Sequence, residues 1–138
     1  MKVAKEFRWE MGHRLPFHNE RCRHLHGHSY KALIELEGDI DENGMVIDFY
    51  DVNKIVNPII DELDHSFLCD KADLDLIEAL KKLQSQIVLI DYPSTAENIS
   101  KYLSDKIIKS ILPKNINKLT VRVFETFDSF AEHSVELS

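Results

Sequence analysis

Apolar and polar positions alternate at both ends of the chain and recur at helical spacing through its middle. Val3, Lys5, Phe7 and Trp9 share one parity against charged neighbours, a period of two that predicts a first strand. From His28 to Glu37, Tyr30, Ala32, Ile34 and Leu36 stand against Lys31, Leu33, Glu35 and Glu37, which predicts a second strand pairing with the first. The connection from Pro16 to Leu25 is long for a hairpin and crowded with ionisable groups, as functional loops are. After a turn at Asp39 to Gly44, Met45-Val46-Ile47 reads as a short strand.

The period then changes. Val52, Ile55, Val56, Ile59, Ile60 and Leu63 predict a helix over about 50–63, with Pro58 imposing a kink or a displaced start. Leu76, Ile77, Leu80 and Leu83 predict a second helix over 72–83. Ser94-Thr95-Ala96-Glu97 has the form of a capping box and opens a third, running to about Leu112 before Pro113. Lys118 to Glu125 and Ser129 to Leu137 close the chain as two strands around Thr126-Phe127-Asp128. The order ββ, helices, ββ predicts an α+β domain with an antiparallel sheet, a single unit over 1–138.

A length of 138 residues is enough to bury a core in one domain, and 43% hydrophobic with 30% charged residues is the balance of a globular protein. No apolar run is long enough to span a bilayer, so no membrane partner is expected. The N-terminal Met1 to Glu6 lacks the apolar core of a signal peptide, which makes a cytoplasmic location the expectation. A net charge of −7 argues against nucleic acid as a partner. In that compartment Cys22 and Cys69 are expected to be reduced rather than paired.

The chemistry concentrates in Cys22-Arg23-His24-Leu25-His26-Gly27-His28. On a strand, His26 and His28 project from one face and can grip one metal ion, while Gly27 leaves the other face open. His13 ends the strand expected to pair with them. Three imidazoles plus an exchangeable position are the donor set of a catalytic zinc. Cys22 would make the site structural as a fourth ligand. As a free thiolate, favoured by Arg21, Arg23 and a nearby cation, it would be a base or nucleophile, the reading preferred here.

Asp64-His65 falls at a helix end, where it is either a histidine on the helix dipole or a carboxylate-oriented proton shuttle. Glu125 shares the apolar parity of Val121 and Val123, so its carboxylate needs a partner. That partner is either Arg122 or Lys118, or a guanidine-like ligand edge bound through two hydrogen bonds.

Phe7…His13-Arg14-Leu15, Cys22-x3-His26-Gly27-His28-Ser29-Tyr30, Leu63-Asp64-His65, Thr95-Ala96-Glu97-Asn98 and Phe124-Glu125-Thr126 together resemble the 6-pyruvoyltetrahydropterin synthase family, in order along nearly the whole chain. The four-residue step from Cys22 to His26 is similar to its 6-carboxytetrahydropterin synthase branch, of queuosine biosynthesis. The resemblance implies a tunnelling fold, a four-stranded antiparallel sheet with helices on one face, closing into a homotrimer or homohexamer with sites between subunits. It makes His13, His26 and His28 ligands of one zinc ion per subunit. Cys22 becomes the general base, Asp64 and His65 a proton relay, and Glu125 the pterin anchor.

The implied reaction converts 7,8-dihydroneopterin triphosphate to 6-carboxy-5,6,7,8-tetrahydropterin, acetaldehyde and triphosphate, without nicotinamide or flavin. Triphosphate elimination without side-chain cleavage, giving the pyruvoyl product, is the alternative. A non-catalytic, zinc-stabilised pterin-binding oligomer is the alternative of a different class. The triphosphate requires a basic rim on an acidic chain, with Arg14, Arg21, Arg23 and Lys31 as candidates. Two stretches depart from the family pattern: 70–91 is longer than usual, and Ala131-Glu132-His133 lacks an expected aromatic residue.

Overall fold

The computed structural model describes residues 1–137, so Ser138, the last residue of the expected domain, lies outside the described residues. In order, the elements are β1 (Lys2–His13), β2 (His26–Gly38), α1 (Phe49–Leu63), β3 (Ser66–Asp70), α2 (Leu74–Lys82), β4 (Ile87–Ile90), α3 (Ala96–Ile108), β5 (Ile116–Thr126) and β6 (Ser129–Glu136).

β1 and β2 pair antiparallel in unbroken register from Lys2↔Glu37 to His13↔His26. Because side chains alternate, Phe7, Trp9, Met11 and His13 share a face with Tyr30, Ala32, Ile34 and Leu36, and all are buried. β5 pairs with β2, and β6 with β5, both antiparallel. Onto the apolar face pack Val52, Val56, Ile60 and Leu63 of α1 with Ile99, Leu103 and Ile107 of α3. Each such side chain stabilises the fold by about 1.5–3 kcal/mol on full burial. α1 runs unbroken through Pro58, which lies on its exposed side.

The α+β tunnelling architecture expected from the sequence is present, but the sheet has six strands in the order β4-β3-β1-β2-β5-β6, not four. The two additional strands are parallel: β3 joins β1 at Met11↔Ser66 and Gly12↔Phe67, and β4 joins β3. β3 is covered on both faces, whereas the edge strand β4 leaves Leu89 exposed. Leu68, Val88 and Ile90 enter the main core, whereas Phe67, Cys69 and Ile87 meet Leu76, Ile77 and Leu80 of α2. α2 therefore lies on the opposite face of the sheet from α1 and α3. A strand buried on two sides carries no period of two, as in Ser66-Phe67-Leu68-Cys69-Asp70, and Ile87-Val88-Leu89-Ile90 shows none because all four of its residues are apolar.

Two local expectations are corrected. Met45 to Ile47 is not a strand: Asp41 accepts the Asn43 and Met45 N–H groups through its carboxylate, folding the segment into a turn that drops Val46 and Ile47 into the core. The capping residue of α3 is Thr95, which accepts the Asn98 N–H, so Ser94 and Glu97 form no capping box. Among the described residues no helix is long and apolar enough to cross a membrane.

Candidate active site

The β1–β2 register brings the three histidines together. His13 stands opposite His26, and His28 follows on the same face. Ring centroids lie 4.6 Å (His13–His26), 4.9 Å (His26–His28) and 5.2 Å (His13–His28) apart, a nearly equilateral cluster. One nitrogen from each lies within 4.8 Å of the others. Cys22 is not part of that group.

The second nitrogens fix the tautomers. His13 Nδ1 lies 2.8 Å from the Ser94 carbonyl oxygen and 3.1 Å from Ser94 Oγ, and His26 Nδ1 lies 2.7 Å from the His24 carbonyl oxygen. A carbonyl only accepts, so Nδ1 carries the proton and Nε2 presents its lone pair. All three Nε2 atoms are buried with no hydrogen-bond partner among the described residues, an expensive arrangement unless an ion or water completes it. Burial lowers the His13 pKa to about 4, with His26 and His28 adding to the shift and the Ser94 hydrogen bond opposing it. Burial, then His26, also lowers that of His28. Neutral imidazoles around converging lone pairs fit a divalent metal ion.

Glu125 reaches this cluster from β5. The β5–β6 register shifts between Phe124 and Thr126, which leaves Glu125 outside the regular pairing just before the hairpin. Its Oε1 is buried without a hydrogen-bond partner and lies 3.9 Å from His13 Nε2. Burial raises its pKa, and Glu97 adds to the shift against the opposing influence of His26 and Tyr30. The ion-pair reading is excluded, since Arg122 binds Glu132 while Lys118 lies near Glu37 and Glu136.

Cys22 is half-buried, unpaired and part of a single 3-10 turn, Arg21–Arg23. With His28, Glu97, Glu125 and Ala131 it lines a cavity of about 610 Å³. Arg21 and Arg23 are exposed and have no ion pair among the described residues. Arg14, by contrast, is committed to Asp73 and is not a free rim group.

Asp64 and His65 form the junction between α1 and β3. Asp64 caps the helix, and its carboxylate accepts the Glu10 N–H at 2.9 Å and lies 3.1 Å from His65 Nδ1. The Glu10 contact, opposed by burial and helped by His65, lowers the Asp64 pKa. His65 adopts a left-handed conformation with φ 61°, an uncommon position for a residue with a side chain. Its imidazole is exposed and borders a different cavity, of about 590 Å³, with Glu10, Gly12, His26 and Gly27. One chain thus places Cys22 and His65 on different cavities, both of which His28 lines.

The sequence carries no signal for Ser94 as the partner of His13, since its place in Ser94-Thr95-Ala96-Glu97 is that of a cap. Tyr30 was also passed over beyond its place in the strand. Its hydroxyl is buried without a partner, and burial together with the Glu125 carboxylate raises its pKa well above the ordinary value.

Fold and site together define a tunnelling-fold domain with three histidines clustered where they could hold a metal ion. A family model described as 6-pyruvoyl tetrahydropterin synthase matches residues 2–136, and the chain belongs to that family. It is 34% identical to the 6-carboxy-5,6,7,8-tetrahydropterin synthase of Haemophilus influenzae, over 96% of this chain and 97% of the relative. It is 30% identical to the protein of that name from Aquifex aeolicus, over 98% of each. Among solved structures, 6-pyruvoyl tetrahydropterin synthase from Plasmodium vivax superposes with a TM-score of 0.77 at 21% identity, covering 99% of each chain, a likeness of fold alone. An uncharacterized protein of Wolinella succinogenes gives 0.79 at 25% identity, covering 96% of this chain and 97% of its own.

Proposed function

We propose that the protein is a zinc-dependent 6-carboxytetrahydropterin synthase, converting 7,8-dihydroneopterin triphosphate and one water to 6-carboxy-5,6,7,8-tetrahydropterin, acetaldehyde and triphosphate. The observation that carries this reading is the convergence of three unpartnered Nε2 atoms with Glu125 beside a cavity that Cys22 also lines. The relatives bearing that activity in their names align over nearly the full chain.

His13, His26 and His28 hold the zinc, which when bound supplies Lewis-acid polarisation of the substrate's side-chain oxygens. The Glu125 carboxylate accepts two N–H groups of the aminopyrimidine edge, which fixes the ring relative to Cys22. Cys22, as thiolate, takes the proton from the side-chain carbon next to the ring. Asp64 orients the His65 imidazole, which passes protons to and from the substrate hydroxyls. Arg21 and Arg23, flanking Cys22 and uncommitted, receive the triphosphate.

Cys22 and His65 border different cavities of one chain that share His28, and a homotrimer or homohexamer with sites between subunits would let Cys22 of one copy work with His65 of the next. Product analysis by mass spectrometry tests the reading. Acetaldehyde and the 6-carboxy product are expected from the wild type, with turnover reduced about 10²- to 10⁴-fold in Cys22→Ala while zinc is retained. A dominant pyruvoyl product without acetaldehyde would assign the alternative reaction. Pterin binding unaffected by Cys22→Ala, with no turnover by either protein, would point to a binding protein.

A further inference from the structure

The annexe of α2, β3 and β4 touches the end of β1 at two points that flank His13 in sequence. At Gly12 the Phe67 ring lies where a Cβ would stand, so any side chain there would have to displace that ring. At Arg14 the guanidinium grips Asp73 with both arms, Nε to Oδ2 at 2.7 Å and Nη2 to Oδ1 at 2.5 Å. Asp73 is also the N-cap of α2, accepting the Leu76 N–H, and its side chain is 7% exposed. The pair is therefore fixed at both ends, by a strand on one side and by a helix seated on Cys69, Phe67 and Ile87 on the other. The next residue carries the linkage onward: the Leu15 N–H donates to the Cys22 carbonyl at 2.8 Å, and the Leu15 carbonyl accepts the His18 N–H at 2.9 Å.

We propose that the Arg14–Asp73 ion pair is a positioning device through which the α2 annexe holds the loop of residues 14–25 and so places the Cys22 thiol beside the histidine cluster. The proposal rests on the reading of Cys22 as the reacting thiol. Arg14 and Asp73 touch no substrate in this account and act only through the backbone of Leu15 and Cys22. Lysine at position 14 keeps the charge but not the planar two-armed grip. Asparagine at position 73 keeps the helix cap but loses the charge.

The test compares wild type, Arg14→Lys and Asp73→Asn, all zinc-loaded, by three readouts. These are amide exchange at Leu15, the rate of Cys22 alkylation by iodoacetamide from peptide mass mapping, and steady-state kinetics. Released from its brace, the loop opens more often, and exchange and alkylation each rise about tenfold in both variants. The kcat falls about tenfold while KM stays within about twofold, because the thiol is misplaced and the ring anchor is not. Exchange and alkylation at wild-type rates in folded variants would overturn the proposal and reduce the pair to an anchor for α2. Failure of the variants to fold would also contradict it. A wild type without turnover would refute the assigned reaction, while exchange and alkylation would still report on the brace.

Discussion

The carbonyl oxygen of Ser94 lies 2.8 Å from His13 Nδ1, across 81 residues of sequence. This contact ties the entry to α3 to the most buried of the three histidines and turns its Nε2 toward the cluster. The carbonyl rather than the hydroxyl is the nearer partner, so Ser94→Ala should lower zinc affinity by less than about tenfold. Competition titration with a chelator measures this. A larger loss would transfer the orienting role to the Ser94 hydroxyl.

The buried Oε1 of Glu125 has no hydrogen-bond partner among the described residues, so a ligand is left to provide one. Glu125→Gln should weaken pterin binding by about 1.5–3 kcal/mol, the strength of hydrogen bonds to a charged group, with little change in thermal unfolding. Fluorescence titration reads the affinity. An unchanged titration would remove Glu125 from the site.

His65 occupies its left-handed backbone conformation with an exposed imidazole, so packing does not account for the choice of residue. Such a conformation costs of order 1 kcal/mol, which glycine relieves. His65→Gly should therefore hold or raise the urea midpoint while turnover falls about 10²- to 10⁴-fold. Destabilisation with activity retained would make His65 a structural residue.

The histidine cluster was legible in the sequence because its parts obey local rules: i and i+2 on a strand, and a third histidine across a hairpin in register. Glu125 stood out for a similar reason, as a carboxylate on an apolar parity. Zinc as the ion and pterin as the ligand come from the family resemblance, not from these spacings. Ser94 and Asp73 escaped notice because their partners lie 81 and 59 residues away and each resembles a helix cap, which Asp73 also is. Arg14 was assigned to a phosphate rim for the same reason, since its counter-charge belongs to a distant helix. β3 and β4 lack the alternation by which β1 and β2 are recognised, β3 because it is buried on both faces and β4 because all four of its residues are apolar.

The Arg14 guanidinium, more than the opposing burial, holds the Asp73 carboxyl below its ordinary value of 3.8. A depressed folded-state pKa contributes stability above the unfolded value that is lost as pH falls through the folded one. The metal-free wild type should exceed Asp73→Asn by about 1–2 kcal/mol at about pH 6, and the gap should close toward about pH 3. Paired urea titrations give the difference. A gap independent of pH would show that charge at Asp73 is not its source.

Zinc stoichiometry tests the central claim, that three converging imidazoles make a metal site. Elemental analysis should find about one zinc per chain in the wild type and close to none in His26→Ala. A wild type that takes up no zinc, or a His26→Ala protein that holds a full complement, would contradict it.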